Sequence, residues 1–381
     1  MASFPPPPLQ SVEWDKLGIV PMDVNGHVEC EYSIKTGKWS EPRFVEDPFL
    51  RIHGLAPGLN YGLSLGQFSE PVRDCSLIST YRDPKGQIQV FRPKNHAARL
   101  AFSCSTIAIP AVPEELFLRS INLAVAQNAE YVPPHDSEAA LYIRPLVFGS
   151  DAWVAVSAGI GYRMCIYVQP YKAYHGIQPV PALILDDFDR AAPKGVGHVK
   201  VGGNYAPVLK WSDQARAEGF FITLHLESRT NSEIDEFSTS AFIGIKKTGD
   251  SCTVVVPSSR SILKSVTSTS CVDLAKSFGW NVEIRPIPYS ELQYFTEILA
   301  AGTAAMVVPI HSITRESTGD RFEISTDGPG ECCKKLSQAL MAAQKGITRD
   351  DLQWLCQVEG KPEGEPVPVR DGADGPPPSV E

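Results

Sequence analysis

One lysine of this chain stands in a setting that could change its chemistry. In Gly195-Val196-Gly197-His198-Val199-Lys200-Val201-Gly202-Gly203-Asn204-Tyr205-Ala206-Pro207, Lys200 lies between two glycine pairs, just before a helix whose first turn contains Pro207. Glycines let a backbone come close to a flat ligand or take a positive φ angle. A lysine held away from water there has a lowered amine pKa, and the neutral amine is the nucleophile that forms a Schiff base. Taken alone, the segment reads more readily as a surface lysine in a glycine loop, because strong pKa perturbation is rare.

Other motifs are weaker. Gly62-Leu63-Ser64-Leu65-Gly66 matches the G-x-S-x-G elbow of serine hydrolases, which must follow an apolar strand and lead into a helix; here turn formers precede it (His53 to Gly58). It stands as the rival enzyme class. Gly195-Val196-Gly197 and Gly159-Ile160-Gly161 lack the third glycine of a dinucleotide fingerprint, and no H-E-x-x-H or C-x-x-C occurs, so no metal site is expected. The nine cysteines read as small buried residues in a reducing compartment.

The elements that must position Lys200 alternate. Short β-rich runs are Gln87 to Phe91, Leu141 to Phe148, Met164 to Val168 and Ala182 to Leu185; Pro113 to Ala126 keeps Phe117, Ile121, Ala124 and Val125 on one helical face. Helix Ala206 to Glu218 stops at Gly219 and feeds strand Phe220 to Leu226; helix Ser268 to Phe278 stops at Gly279 and feeds Val282 to Ile284. The pattern implies an α/β (α+β) chain of two domains: a disordered start (1–15), a small α/β domain (16–176), a linker (177–188), a large domain (189–358) and a disordered tail (359–381). A ligand cleft is expected between the domains. With net charge −9 in 381 residues, nucleic acid is not an expected partner. No apolar run is long enough to span a membrane, and the start resembles neither a signal nor a transit peptide, so the cytoplasm is the expected address.

His198 to Pro207 resembles the lysine motif of branched-chain amino acid aminotransferases, pyridoxal phosphate enzymes of fold type IV. Five further blocks agree in order: Phe91-Arg92-Pro93 with Arg99, Leu141-Tyr142-Ile143-Arg144-Pro145, Glu236-Phe237-Ser238-Thr239, Ser265-Val266-Thr267 and Gly302-Thr303-Ala304. The likeness covers about residues 20 to 356 and marks the chain as a divergent, fungal-like member.

The resemblance implies a two-domain fold type IV aminotransferase with pyridoxal 5′-phosphate as cofactor, moving an amino group between an apolar (branched-chain or larger) L-amino acid and 2-oxoglutarate. It makes Lys200 catalytic, the residue of the cofactor aldimine. Tyr205 would bond the ring oxygen, and Glu236 would face the ring nitrogen; Asp235 is its neighbour, and the matching position favours Glu236. Arg99, Val266, Thr267 and Thr303 would hold the phosphate, with Thr239 also at the cofactor. Tyr61, Tyr142, Arg144, Val154, Val156, Tyr174, Thr303 and Ala304 would form the substrate side, Arg144 taking the side-chain carboxylate of glutamate. Tyr61, Val154 and Val156 would come from the second subunit of a homodimer. A specialised secondary-metabolite substrate and a non-catalytic relative are the other readings left open.

Departures from the family concern the pocket wall. Gly66-Gln67-Phe68 replaces a Phe-Glu-Gly block, Ala241 replaces an asparagine, Asn25-Gly26 lies where a Thr-Asp-His block is usual, and Ala305 to Val308 replaces the redox Cys-x-x-Cys of some animal members. A wider pocket is the expectation.

Overall fold

The computed structural model describes residues 4–18, 20–65, 78–172, 178–303, 306–324, 328–348 and 350–360. Two nine-stranded sheets carry them. In the first the order is Leu355–Gln357, Ile88–Phe91, Ile78–Arg82, Ala140–Gly149, Gly161–Tyr171, His27–Ser33 and Lys38–Trp39, every pairing antiparallel. Alternation along Ala140–Gly149 buries Leu141 and Ile143 and leaves Tyr142 and Arg144 half-buried on the other face. Helices Pro93–Thr106 and Glu114–Gln127 cover the apolar face: Leu100, Phe117, Ile121 and Val125 share one core cluster with Leu141 and Ile143.

The second sheet is mixed, in the order Ile234–Phe237, Ile222–Leu226, Val180–Ile184, Met306–Arg315, Glu297–Gly302, Ala241–Thr248, Ser251–Pro257 and Asn281–Arg285. Two of its parallel pairs are made by the helices whose ends the glycines mark. Ala206–Ala217 connects Val180–Ile184 to Ile222–Leu226, and Val266–Ser277 connects Ser251–Pro257 to Asn281–Arg285. Gly219 and Gly279 follow these helices with φ of 95° and 75°, a region open to glycine at little cost.

Three boundaries differ from the sequence reading. The segment 177–188, read as a linker, contains strand Val180–Ile184, hydrogen-bonded on both sides inside the second sheet. Its prolines mislead because Pro181 sits at a register irregularity, where a missing N–H does least harm. The start read as disordered is tied down from Phe4 to Leu9: Arg82 donates to the Pro6 carbonyl at 2.7 Å, the Leu9 amide donates to Glu130 O at 3.0 Å, and Phe4 packs on the first core cluster. A proline run has little conformational freedom to lose, so few contacts suffice. Finally, Leu355–Gln357 leaves the second half of the chain and joins the first sheet beside Ile88–Phe91.

That return strand ties the halves. Trp354 is buried, packs edge-on against Phe91 at 5.5 Å and lies under the Arg92 guanidinium at 4.7 Å, while its carbonyl accepts from the Arg92 amide at 2.6 Å. It shares a cluster with Leu336 and Leu340 of helix Glu331–Gln344 and with Cys271 of Val266–Ser277. Trp354→Ala should therefore cost about 3–5 kcal/mol, the usual loss for a buried large aromatic. Urea unfolding curves measure this; a loss below about 1 kcal/mol would mean that the return strand is not a structural tie.

Candidate active site

Val199 and Val201 are buried in the first sheet's core, and Val201 bridges Leu65 of strand Ser64–Leu65. Lys200, between them, lines a cavity. Its amide donates to Ser103 Oγ of helix Pro93–Thr106 at 3.0 Å, and Asn204 Nδ2 holds the loop through the carbonyls of Val196 (2.7 Å) and Val199 (3.0 Å). Gly197 is small for a reason other than the expected approach to a ligand: an added Cβ would lie 2.2 Å from Ala191 Cβ and 2.8 Å from Ser261 O. Lys200 is 5% exposed, and its Nζ donates to Tyr205 Oη at 2.7 Å. It is not a surface lysine.

The cavity is lined by Arg99, Arg190, Lys200, Tyr205, Glu236 and Thr303, with Thr239, Ser240, Ala241, Leu263, Ser265, Ala301 and Gly302 completing the wall. Glu236 comes from the fully buried strand Ile234–Phe237. Its Oε1 is ion-paired with Arg190 Nη1 and accepts from the Leu263 amide at 3.2 Å. Asp235, the neighbour left open as an alternative, is not among the lining residues. Burial pushes the Glu236 carboxyl up to about 7, against the pull of Arg190 and the Leu263 amide. Arg190 also donates through Nε to Ser238 O at 3.3 Å, and its guanidinium lies 5.7 Å from the Tyr205 ring.

Hydroxyls and amides form a second set. Helix Val266–Ser277 begins behind Ser265, whose Oγ accepts from the Ser268 amide at 3.2 Å. Its first amides, at Val266 and Thr267, have no intrahelical acceptor and carry the positive end of the helix dipole. Thr267 Oγ1 lies 3.4 Å from Thr303 Oγ1, and Arg99 Nη2 lies 3.1 Å from His96 Nδ1. The donor set suits a ligand with an anionic group that can engage these hydroxyls and cations, and with a ring nitrogen that can face a buried acid.

The cavity thus gathers Lys200, Arg99, Tyr205, Glu236, Thr239 and Thr303, with Val266 and Thr267 beside it. Of the described substrate-side candidates, Thr303 lines this cavity and Tyr61, Tyr142, Arg144, Val154 and Val156 do not. Tyr142 and Arg144 form their own pair on the first sheet, the guanidinium 5.6 Å from the ring. Tyr61 donates to Val154 O at 2.7 Å, and Tyr61, Val154 and Val156 are exposed. Tyr174, Ala304, Ala305 and Gly66-Gln67-Phe68 lie outside the described residues.

Two sequence expectations are corrected. Ser64 is buried within a strand paired to Phe148, not on the strand-to-helix turn that a nucleophile elbow requires. Asn25 and Gly26 do not mark a widened pocket. Asn25 is bonded to Asn128, Gln127 and Glu130, and Gly26 is small because an added Cβ would lie 2.1 Å from Val45 O. Sequence reading missed Arg190, whose partner is distant in sequence, along with Ser240, Leu263, Ser265 and Ala301. Ser265 stood in the Ser265-Val266-Thr267 block without a role of its own, and the others carry no spacing signal.

One lysine placed between a buried acid and a set of phosphate-suited donors is the layout by which proteins hold pyridoxal phosphate. Comparison with known proteins gives the family: the amino-transferase class IV model matches residues 80–313. The aminotransferase atnJ of Emericella nidulans is 54% identical, covering 94% of this chain and 99% of its own. The branched-chain amino acid aminotransferase gloG of Glarea lozoyensis is 46% identical over 93% and 98%. The crystal structure of the Escherichia coli branched-chain amino acid aminotransferase superposes with a TM-score of 0.71 at 24% identity, covering 88% of this chain and 100% of the other. The chain belongs to the class IV aminotransferases, enzymes that use pyridoxal 5′-phosphate, and it has their fold of mixed helices and two curled sheets.

The raised Glu236 pKa has a measurable consequence in the cofactor-free protein. A carboxyl that holds its proton to about pH 7 when folded, but only to about 4.5 when unfolded, stabilises the fold fully below about 4.5, and this is lost as pH rises through about 7. Buried His225, whose pKa is lowered to about 3, gives the opposite slope, since it must stay neutral. The informative quantity is the stability of the wild type minus that of Glu236→Gln, which should fall by on the order of 2–4 kcal/mol between pH 4.5 and 8. A flat difference would mean that Arg190 keeps Glu236 ionised throughout.

Proposed function

We propose that this chain exchanges an amino group between an apolar L-amino acid, branched-chain or larger, and 2-oxoglutarate, with Lys200 as its catalytic residue. The observation that carries the reading is the buried Lys200–Tyr205 pair inside a cavity that also holds the Glu236–Arg190 pair and the Arg99 and Thr303 donors, with Thr267 beside it against Thr303. When bound, the cofactor supplies an electron sink for the donor's Cα carbanion. Lys200 holds the cofactor and moves the proton at Cα. Tyr205, in contact with Nζ, orients that amine and would bond the ring oxygen of the cofactor. Glu236 would face the ring nitrogen and keep it protonated, with Arg190 holding the carboxylate in place. Arg99, Thr303, Thr267 and the Val266 and Thr267 amides bind the phosphate.

Arg144, steadied by Tyr142, is assigned to the acceptor's distal carboxylate. The exposed Tyr61–Val154 pair and Val156 are assigned to a second copy's pocket in a homodimer; covering such apolar side chains favours association. The cytoplasm is the proposed location. The first sheet would belong to the smaller domain and the second sheet to the cofactor-binding domain, the last strand returning to the first.

The donor class rests on small wall residues. Ser240, Ala241 and Ala301 line the cavity, with Ala241 and Ala301 paired across neighbouring strands. Each missing methylene-sized contact lowers discrimination for a small donor by about 1–3 kcal/mol and leaves room for a larger one.

Two measurements test this reading. Borohydride reduction of the loaded protein followed by peptide mapping should place the pyridoxyl group on Lys200; finding it on Lys194 or Lys210 would refute the assignment. A kcat/KM series with 2-oxoglutarate over valine, leucine, isoleucine, methionine and phenylalanine should rise toward the longer or aromatic donors. An optimum at the three branched-chain acids would show an ordinary branched-chain pocket.

A further inference from the structure

Helix Pro93–Thr106 carries a second polar residue into the site region, one turn before Arg99. His96 is 4% exposed, and its Nδ1 lies 3.1 Å from Arg99 Nη2. Residues three apart on a helix are neighbours on its surface, so the contact follows from the spacing alone. The chemistry of the pair fixes its sense. A guanidinium has only donors, so Nδ1 is the unprotonated nitrogen and the imidazole proton sits on Nε2. Burial, and then the positive charges of Arg99, Arg92 and Lys200, hold this imidazole well below its usual pKa, which keeps Nδ1 free to accept.

We propose that His96 is a positioning residue: as a fixed acceptor it orients the Arg99 guanidinium so that its remaining N–H groups serve the phosphate of the cofactor. This rests on the reading of the cavity as the cofactor site. Arg99 is half-buried, on a long side chain with many rotamers, and a planar fork binds a phosphate well only when its plane is set. A neutral ring sets that plane without adding charge. A carboxylate in the same place would neutralise Arg99 and compete with the phosphate, and a cation would repel it.

The test uses the full-length protein freed of cofactor, with three probes: pyridoxal 5′-phosphate, pyridoxal and inorganic phosphate. Visible absorbance follows the first two and calorimetry the third. In His96→Asn the amide oxygen falls near the place of Nδ1, whereas in His96→Gln it falls near Nε2; His96→Leu has no acceptor. Leu and Gln should weaken pyridoxal phosphate and inorganic phosphate about tenfold each, the scale of one charged hydrogen bond, with pyridoxal unchanged; Asn should stay within about twofold of wild type. Equal weakening of pyridoxal would show a general packing defect and overturn the proposal. So would unchanged phosphate affinity in the Leu protein, or equal behaviour of Asn and Gln, a comparison that holds even if the Leu protein does not fold. Wild-type protein that binds no pyridoxal phosphate would instead remove the cofactor reading on which the proposal stands.

Discussion

The site is organised by a buried charge that must be countered. Taking a carboxylate out of water costs several kcal/mol unless a partner and hydrogen bonds compensate it, and Glu236 is 5% exposed. Its compensation comes from two other segments: Arg190 follows strand Val180–Ile184, and the Leu263 amide precedes helix Val266–Ser277. One ion pair therefore requires that an edge strand, a central strand's exit loop and the approach to a helix N-terminus meet. The same guanidinium faces Tyr205, which holds Lys200, so the geometry at the lysine depends on the acid's counter-ion.

A second constraint follows from the cations that the site collects. Arg99, Arg190 and Lys200 line one cavity and Arg92 lies close to His96. Like charges at this spacing repel, and each is given a tether that fixes its direction. Arg92 donates to Ser270 at 2.8 Å and pairs with Asp273 on helix Val266–Ser277. Helix Pro93–Thr106 thus starts against helix Val266–Ser277, carries Arg99 in its middle and reaches the Lys200 backbone through Ser103 near its end. A bound dianion lowers the remaining repulsion, so cofactor binding and folding stability are thermodynamically linked.

This explains which parts of the protein were legible in the sequence. Local signals worked where structure is local, at the glycine-stopped helices and the strand around Tyr142 and Arg144; the lysine segment taken alone pointed to a surface lysine, and Lys200 is buried. Alternation puts Asp235 and Glu236 on opposite faces of their strand, and the choice of Glu236 came from its matching position in the family block, not from the pattern itself. Arg190 was not legible, since an arginine among aspartates reads as solvated and its true partner is brought near only by sheet order. The linker at 177–188 failed for a related reason. Prolines 179 and 181 suggest a break, yet hydrogen bonds from strands on both sides outweigh the one that Pro181 lacks. Asn25 and Gly26 looked like pocket residues because nothing in their spacing reveals Val45 or Asn128.

The chemistry and the choice of substrate are held by different kinds of structure. Groups assigned to the cofactor stand on strands, helix starts and a loop pinned by two core valines, and their directions are set by buried partners. Groups assigned to the substrate are small or only partly covered. Ser240, Ala241 and Ala301 bring little side chain, the Tyr142–Arg144 pair is half-buried, and Val154 and Val156 are 73% and 86% exposed. Exposed apolar side chains gain their ordering from whatever covers them, and in the proposed homodimer that is a second copy. Changes at these positions alter contacts worth only about 1–3 kcal/mol each, without disturbing the buried pairs that hold the lysine. A protein built this way can change the size of its pocket without losing its buried ion pair, because the small wall residues are not the ones that the fold has to neutralise.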